Sequence, residues 1–152
     1  MLAVVRPSDW NFPLFFHIAG AMLLVASLVV ALYAVRIARE RGDQPAAQFL
    51  ARVLLWVTLP SYLVMRIFAQ IIESKEKLDK ANPSWLGVGF IVSDLGFVLL
   101  LAVLIMTGLV ARRTKKGVSV AGSGQLRATG IIMGILITAY VVAIWAMTTK
   151  PN

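Results

Sequence analysis

Phe12 to Val35 reads FPLFFHIAGAMLLVASLVVALYAV, an apolar run with no charged residue and the only histidine of the chain, His17. An α-helix rises about 1.5 Å per residue, so about 20 such residues cross the ~30 Å hydrocarbon core of a bilayer. The run is long enough. An isolated strand in hydrocarbon would leave its N–H and C=O groups unpaired at several kcal/mol apiece, so the segment must be helical. It is longer than the about 7 to 15 residues of a secretory signal core and has no clear basic start, and a retained anchor is expected.

Three more runs of the same kind follow, from Val53 to Ile72, Leu86 to Val110 and Ala128 to Met147. None alternates in the roughly 10-residue segments of a membrane barrel. The reading is an all-α integral membrane protein, an antiparallel four-transmembrane-helix bundle, with residues 1–152 forming one membrane domain. Composition agrees, because 152 residues at 59% hydrophobic content carry more apolar surface than a soluble domain this small can bury. The formal net charge of +8 could suggest nucleic acid. Most basic residues, however, sit in short segments between apolar runs, where anionic lipid headgroups are the nearer partner, and no nucleic-acid role is expected. With no cysteine, disulfides, iron–sulfur clusters and cysteine zinc sites are excluded within the chain.

The links are short and polar: one carries Arg39, Glu40, Arg41, Gly42, Asp43 and Pro45, the next runs from Glu73 to Pro83, the last from Arg112 to Arg127. Short links place successive helices side by side. Gly117, Gly122 and Gly124 read as flexible chain, since a phosphate loop would need a Gly-Lys-Ser/Thr ending that is absent. The first and third links hold Arg36, Arg39, Arg41, Arg52, Arg112, Arg113, Lys115, Lys116 and Arg127, against Arg6, Lys75, Lys77, Lys80 and Lys150 on the other side. By the positive-inside rule both termini are extracytoplasmic, in a multi-pass protein of a cell inner (plasma) membrane. Trp10, Trp85 and Trp145 then lie at the outer interface, with Trp56 near the inner one.

Without a hydrophobic drive between helices in lipid, small residues mark where backbones can approach. Gly130 and Gly134, with Thr138 a turn on, form such a face; so do Gly89 and Ser93, and more loosely Gly20, Ser27 and Ala31. These are contacts within one bundle or, alternatively, a homodimer seam. Pro60 lacks an N–H and is expected to kink the second helix.

Charged or titratable groups cost roughly 2.5–3.5 kcal/mol each in hydrocarbon and are candidate functional residues by default. Three qualify: His17, Arg66 and Asp94. Counted at 1.5 Å per residue they lie about 7, 9 and 12 Å in from the outer ends of their helices, with Tyr140 at about 10 Å by the same count, so that they fall in one outer-leaflet layer. Tyr62 and Gln70 stand one turn either side of Arg66. A guanidinium and a carboxylate stripped of water are each costly alone, and a bidentate pair satisfies both, so Arg66 is expected to bond Asp94. The pair is either a clamp on helix register or part of a polar site; Arg66 could instead reach outward to lipid phosphate. For His17, a hydrogen-bonded packing role and a ligand or proton-transfer role both stay open.

At Phe16, His17, Ile18, Ala19, Gly20 and Ala21 the chain resembles small bacterial integral membrane proteins of about four helices whose first helix carries His-x-x-Gly-Ala. The arginine-rich first link and Thr58, Leu59, Pro60 continue the likeness. More distantly it resembles copper-resistance-type membrane proteins and membrane protoporphyrinogen oxidases, which also place a histidine in the first helix. That likeness implies haem as a cofactor; a lysine of a later helix accompanies the histidine in the oxidases, and here Arg66 or Asp94 would take its place.

Three function classes remain. No nucleophile, acid/base pair or metal set is legible, which favours a non-enzymatic accessory or assembly subunit packing on a membrane partner, in a larger complex or a homodimer. The alternative is a haem-binding or redox protein with His17 as an axial ligand and Arg66 on a propionate, needing Met, Tyr, water or a second subunit opposite. A small transporter would want acidic residues at mid-membrane, and Asp94 stands alone and off-centre. Copper would want clustered soft ligands. Met22, Met65, Met106 and Met133 are spread over all four helices.

Overall fold

The computed structural model describes residues 11–76 and 84–149. Helix α1 spans Asn11–Arg41 and α2 spans Gln44–Val53; a π-helical turn, Leu54–Thr58, leads into α3, Leu59–Glu76; α4 spans Ser84–Lys115 and α5 spans Gly124–Thr149. Four helical stretches are long and apolar enough to cross a membrane: Asn11–Arg41, Gln44–Lys75, Ile91–Lys115 and Gly124–Ala146. Among the described residues no strand occurs. Arg6, Trp10, Lys77, Lys80, Pro83 and Lys150 lie outside the described residues, as does the side chain of Trp85.

The helices run past the apolar stretches that announce them. Hydropathy marks only what lipid must cover, whereas a helix continues until its backbone is capped. Helix α1 therefore extends through Arg41 and ends at Gly42, whose φ of 64° lets its N–H reach back to the Ala38 carbonyl at 2.9 Å. The next residue begins α2: Asp43 is extended and its carboxylate accepts the Ala46 N–H at 3.1 Å, with Pro45 in the first turn. Two residues thus turn the chain.

The third link, expected to be flexible, is instead a built turn. Gly117 and Gly122 hold positive φ of 76° and 64°, and Gly124 opens α5. These glycines supply backbone angles rather than slack. Val120, 4% exposed, seals the end of the core. The turn docks on the first link through Val120 N–H to the Gly42 carbonyl at 3.5 Å and Gly122 N–H to the Arg39 carbonyl at 3.2 Å. The two arginine-rich links therefore share one end of the molecule. A Cβ at Gly42 would lie 2.7 Å from Ala121 N, Ala121 Cβ and Ser119 Oγ, in a backbone conformation that side chains disfavour. Gly42→Ala should lower stability by about 2 kcal/mol, read as a fall in thermal midpoint in detergent.

One core runs along the bundle axis. Leu24, Leu28, Ala31 and Val35 of α1 meet Leu50 and Leu54 of the second stretch, Leu100 and Val103 of α4, and Met133 and Leu136 of α5. Several buried serine and threonine hydroxyls are satisfied by carbonyls one turn back in the same helical stretch, as for Ser27 to Leu24, Ser61 to Val57, Thr107 to Val103 and Thr129 to Gln125. The outside is as apolar as the inside: Met22, Ile105 and Ile131 are all more than half exposed, on three different helices. Trp56 and Trp145 point outward as well. A soluble monomer does not leave apolar surface of this extent uncovered.

Pro60 leaves its mark one turn upstream. Its ring crowds the carbonyl four residues earlier, and the backbone widens into the π turn, with Leu59 N–H bonded to the Leu54 carbonyl. Buried Thr58 fills the widened turn by donating to the Val53 carbonyl at 3.3 Å. The turn divides the second stretch between two neighbours. Helix α2 packs on both α1 and α4, whereas α3 packs on α1 and scarcely meets α4. Among the described residues the backbones of α3 and α4 come close at few points.

Candidate functional site

Long side chains cross the gap that the backbones leave. Tyr62 of α3 stacks on Phe97 of α4 with ring centroids 5.1 Å apart, and its hydroxyl donates to the Ser93 carbonyl at 3.3 Å, with Ser93 Oγ at 3.4 Å. One turn further along, Arg66 Nη2 donates to Asp94 Oδ1 at 2.7 Å. This is one charge-assisted bond rather than the expected bidentate fork. A fork needs the guanidinium and carboxylate coplanar with two nitrogens set against two oxygens, whereas here Nη2 alone meets Oδ1. Among the described residues Asp94 Oδ2 has no donor.

The pair is not buried evenly. The Arg66 side chain is 21% exposed and that of Asp94 63%. Around Asp94 on α4, Ile91, Leu95 and Val98 are each about 60% exposed. The carboxylate thus stands on an outward, otherwise apolar helix face. Gln70 is exposed too.

On its other side α3 meets α1 closely. Gly20 is buried, and a Cβ there would lie 2.8 Å from Met65 N and 3.1 Å from Ser61 O. One turn earlier His17 Nδ1 lies 2.9 Å from the Met65 carbonyl. A carbonyl can only accept, so Nδ1 carries a proton, and in the neutral imidazole it is then Nε2 that holds the lone pair. Phe16 stacks on Phe68 at 5.0 Å and Phe12 meets Phe68 edge-on at 6.2 Å, closing this end of the α1–α3 contact with aromatic surface.

The polar residues expected in one layer are therefore neighbours but not one network. Arg66 and Asp94 bond each other; His17 bonds the backbone beside Arg66; Tyr62 bonds the residue beside Asp94. Tyr140 of α5 is 5% exposed and its hydroxyl has no hydrogen-bond partner among the described residues. That hydroxyl lies over Gly96, where a Cβ would come within 2.5 Å of it. Gly96 was not legible as a contact residue, because its partner is a ring from another helix. Tyr140→Phe removes a buried, unpaired group and should raise stability by about 1 kcal/mol, seen as a higher thermal midpoint.

The small residues behave unequally. Gly20 and Gly96 accommodate close neighbours, and Gly89 and Ser93 are buried. Gly130 would place a Cβ 3.4 Å from Val35 Cγ1, an ordinary contact, whereas nothing lies within 4 Å of a Cβ at Gly134. Gly134 thus marks no close approach among the described residues, and the exposed Thr138 beside it donates to the Gly134 carbonyl of its own helix at 2.9 Å. Spacing along a helix reports a shared face, not whether a neighbour occupies it.

No protein-family model, no curated protein and no solved structure matches the chain. The site is read from its own chemistry: a charged pair joining two splayed helices, one member facing outward, and a histidine with one nitrogen tied to the backbone.

Proposed function

We propose that the chain is a non-enzymatic, multi-pass component of a bacterial inner membrane, an accessory or assembly subunit that packs on a membrane partner. The observation that carries this reading is the outward carboxylate of Asp94, 63% exposed on an apolar face. In a membrane-spanning helix such a group needs cover from another polar surface, since lipid supplies none at that depth. A partner helix presenting a donor to Asp94 Oδ2 supplies it. A photoreactive side chain at Leu95 should cross-link in native membranes to a single protein species, and Asp94→Leu should abolish that product; cross-linking to lipid alone would overturn the reading.

The antiparallel bundle with both termini extracytoplasmic is supported by the meeting of the two arginine-rich links at one end. The chain has no cysteine, so single cysteines report topology cleanly. Ser119→Cys should be shielded from a membrane-impermeant maleimide in intact cells, and Lys75→Cys should be labelled. The opposite pattern would invert the orientation.

A second reading, haem binding, draws support from the tautomer of His17, whose Nε2 is the nitrogen an axial ligand would use. Purified protein should then show a Soret band that His17→Ala removes; a colourless protein sinks this reading.

A further inference from the structure

The end of the molecule away from Arg66 and Asp94 carries a second feature. A groove of about 630 Å³ opens between α1 and α5. That volume falls within the roughly 300–1,000 Å³ of small-ligand sites. Its floor is apolar, formed by Val29, Leu32 and Val35 of α1 with Gly130 and Ile131 of α5. A Cβ at Gly130 would sit against two other lining residues, 3.4 Å from Val35 Cγ1 and 4.0 Å from Leu32 Cδ1, so glycine leaves that part of the lining bare.

Its rim is cationic. Arg36 and Arg39, one turn apart on α1, and Arg127 in the first turn of α5 surround the mouth, with Tyr33 beside them. Glu40 takes the Arg36 Nε at 3.0 Å, so one guanidinium of the three is matched by a carboxylate. Among the described residues Arg39 and Arg127 form no ion pair. Two unneutralised guanidiniums on different helices thus face one trough of hydrocarbon-like surface.

We propose that this groove binds an anionic phospholipid, its phosphate held by Arg39 and Arg127 and one acyl chain lying along the Val29–Leu32 and Ile131 floor. Charge complementarity selects the headgroup, since arginine forks match phosphate oxygens. The apolar trough selects a chain-bearing ligand over free phosphate, and a zwitterionic lipid gains less from the rim. Basic sites between membrane helices at the cytoplasmic surface suit anionic lipids, and this end is the one carrying the arginine-rich links. The proposal rests on the membrane-spanning reading but not on the partner proposed for Asp94.

The test is native mass spectrometry of the detergent-purified full chain with phosphatidylglycerol, phosphatidylcholine or inorganic phosphate. Wild type should retain one phosphatidylglycerol at about tenfold lower lipid concentration than phosphatidylcholine. The double variant Arg39→Gln/Arg127→Gln should lose that preference, while Arg112→Gln/Arg113→Gln, which removes equal charge from exposed positions on α4, should keep it. Equal loss in both variants, equal retention of both lipids, or displacement of the lipid by inorganic phosphate would overturn the groove as a lipid site. Release of the chain from membranes by alkaline carbonate would overturn the spanning reading itself, which separates the two failures.

Discussion

Gly20→Val should cost about 3 kcal/mol or more, with a large fall in thermal midpoint in detergent and loss of the His17 contact. A Cβ at Gly20 would collide with Met65 N at 2.8 Å, Met65 Cα at 3.1 Å and Ser61 O at 3.1 Å. All three are backbone atoms of α3. A flexible side chain can swing aside, but a helix backbone moves only as a body, so α1 and α3 must separate. Separation loosens the His17 Nδ1 contact to the Met65 carbonyl, now 2.9 Å, and the Phe16–Phe68 stack beside it. The intrinsic preference of a helix for alanine over glycine, about 1 kcal/mol, is too small to reverse the sign even for Gly20→Ala. Gly134→Ala is the matched control. Nothing lies within 4 Å of its Cβ, so it should be neutral or slightly stabilising. Equal effects at the two glycines would show that α1 and α3 do not pack as described.

Removing either partner of the Arg66–Asp94 pair should cost about 2–4 kcal/mol, and removing both should cost less than the sum of the two single changes. Arg66→Leu leaves a carboxylate on an apolar face; Asp94→Leu leaves a guanidinium that is only 21% exposed. In either case one charge loses the opposite charge 2.7 Å away, and at membrane depth water would not replace it. The double variant Arg66→Leu/Asp94→Leu leaves neither, and its apolar side chains suit the Ile91, Leu95 and Val98 surroundings. Thermal unfolding of all four proteins closes the cycle. Were Asp94 in water, the pair would be worth under about 1 kcal/mol and the single variants would be nearly silent. That result would remove the site from membrane depth and with it the argument for a covering partner.

Much of this was legible beforehand for a simple reason. Four long apolar runs leave a helix as the only way to keep backbone groups paired, and the cost of a lone charge made Arg66 and Asp94 each other's obvious partner. Other features carry weaker marks. Asp43 followed by Pro45 is a helix-start signal that locates α2, but the absence of strong hydropathy around Gln44 and Gln48 hid it. The π turn could be placed only near Pro60, because proline disturbs the turn before it without stating how the backbone will adjust.

Composition and hydropathy along the chain, then, determine that four helical stretches of membrane-spanning length exist and which charges need partners, since both follow from what each residue costs in hydrocarbon. Tertiary structure alone decides the rest. It sets Gly20 against the α3 backbone but leaves Gly134 facing nothing, joins Gly42 to the turn at Ala121, and turns Asp94 outward while Arg66 is held in. It also gathers Arg36, Arg39 and Arg127 around one groove. These depend on how helices lean on one another, and one-dimensional spacing does not carry the rotation and separation of two helix axes.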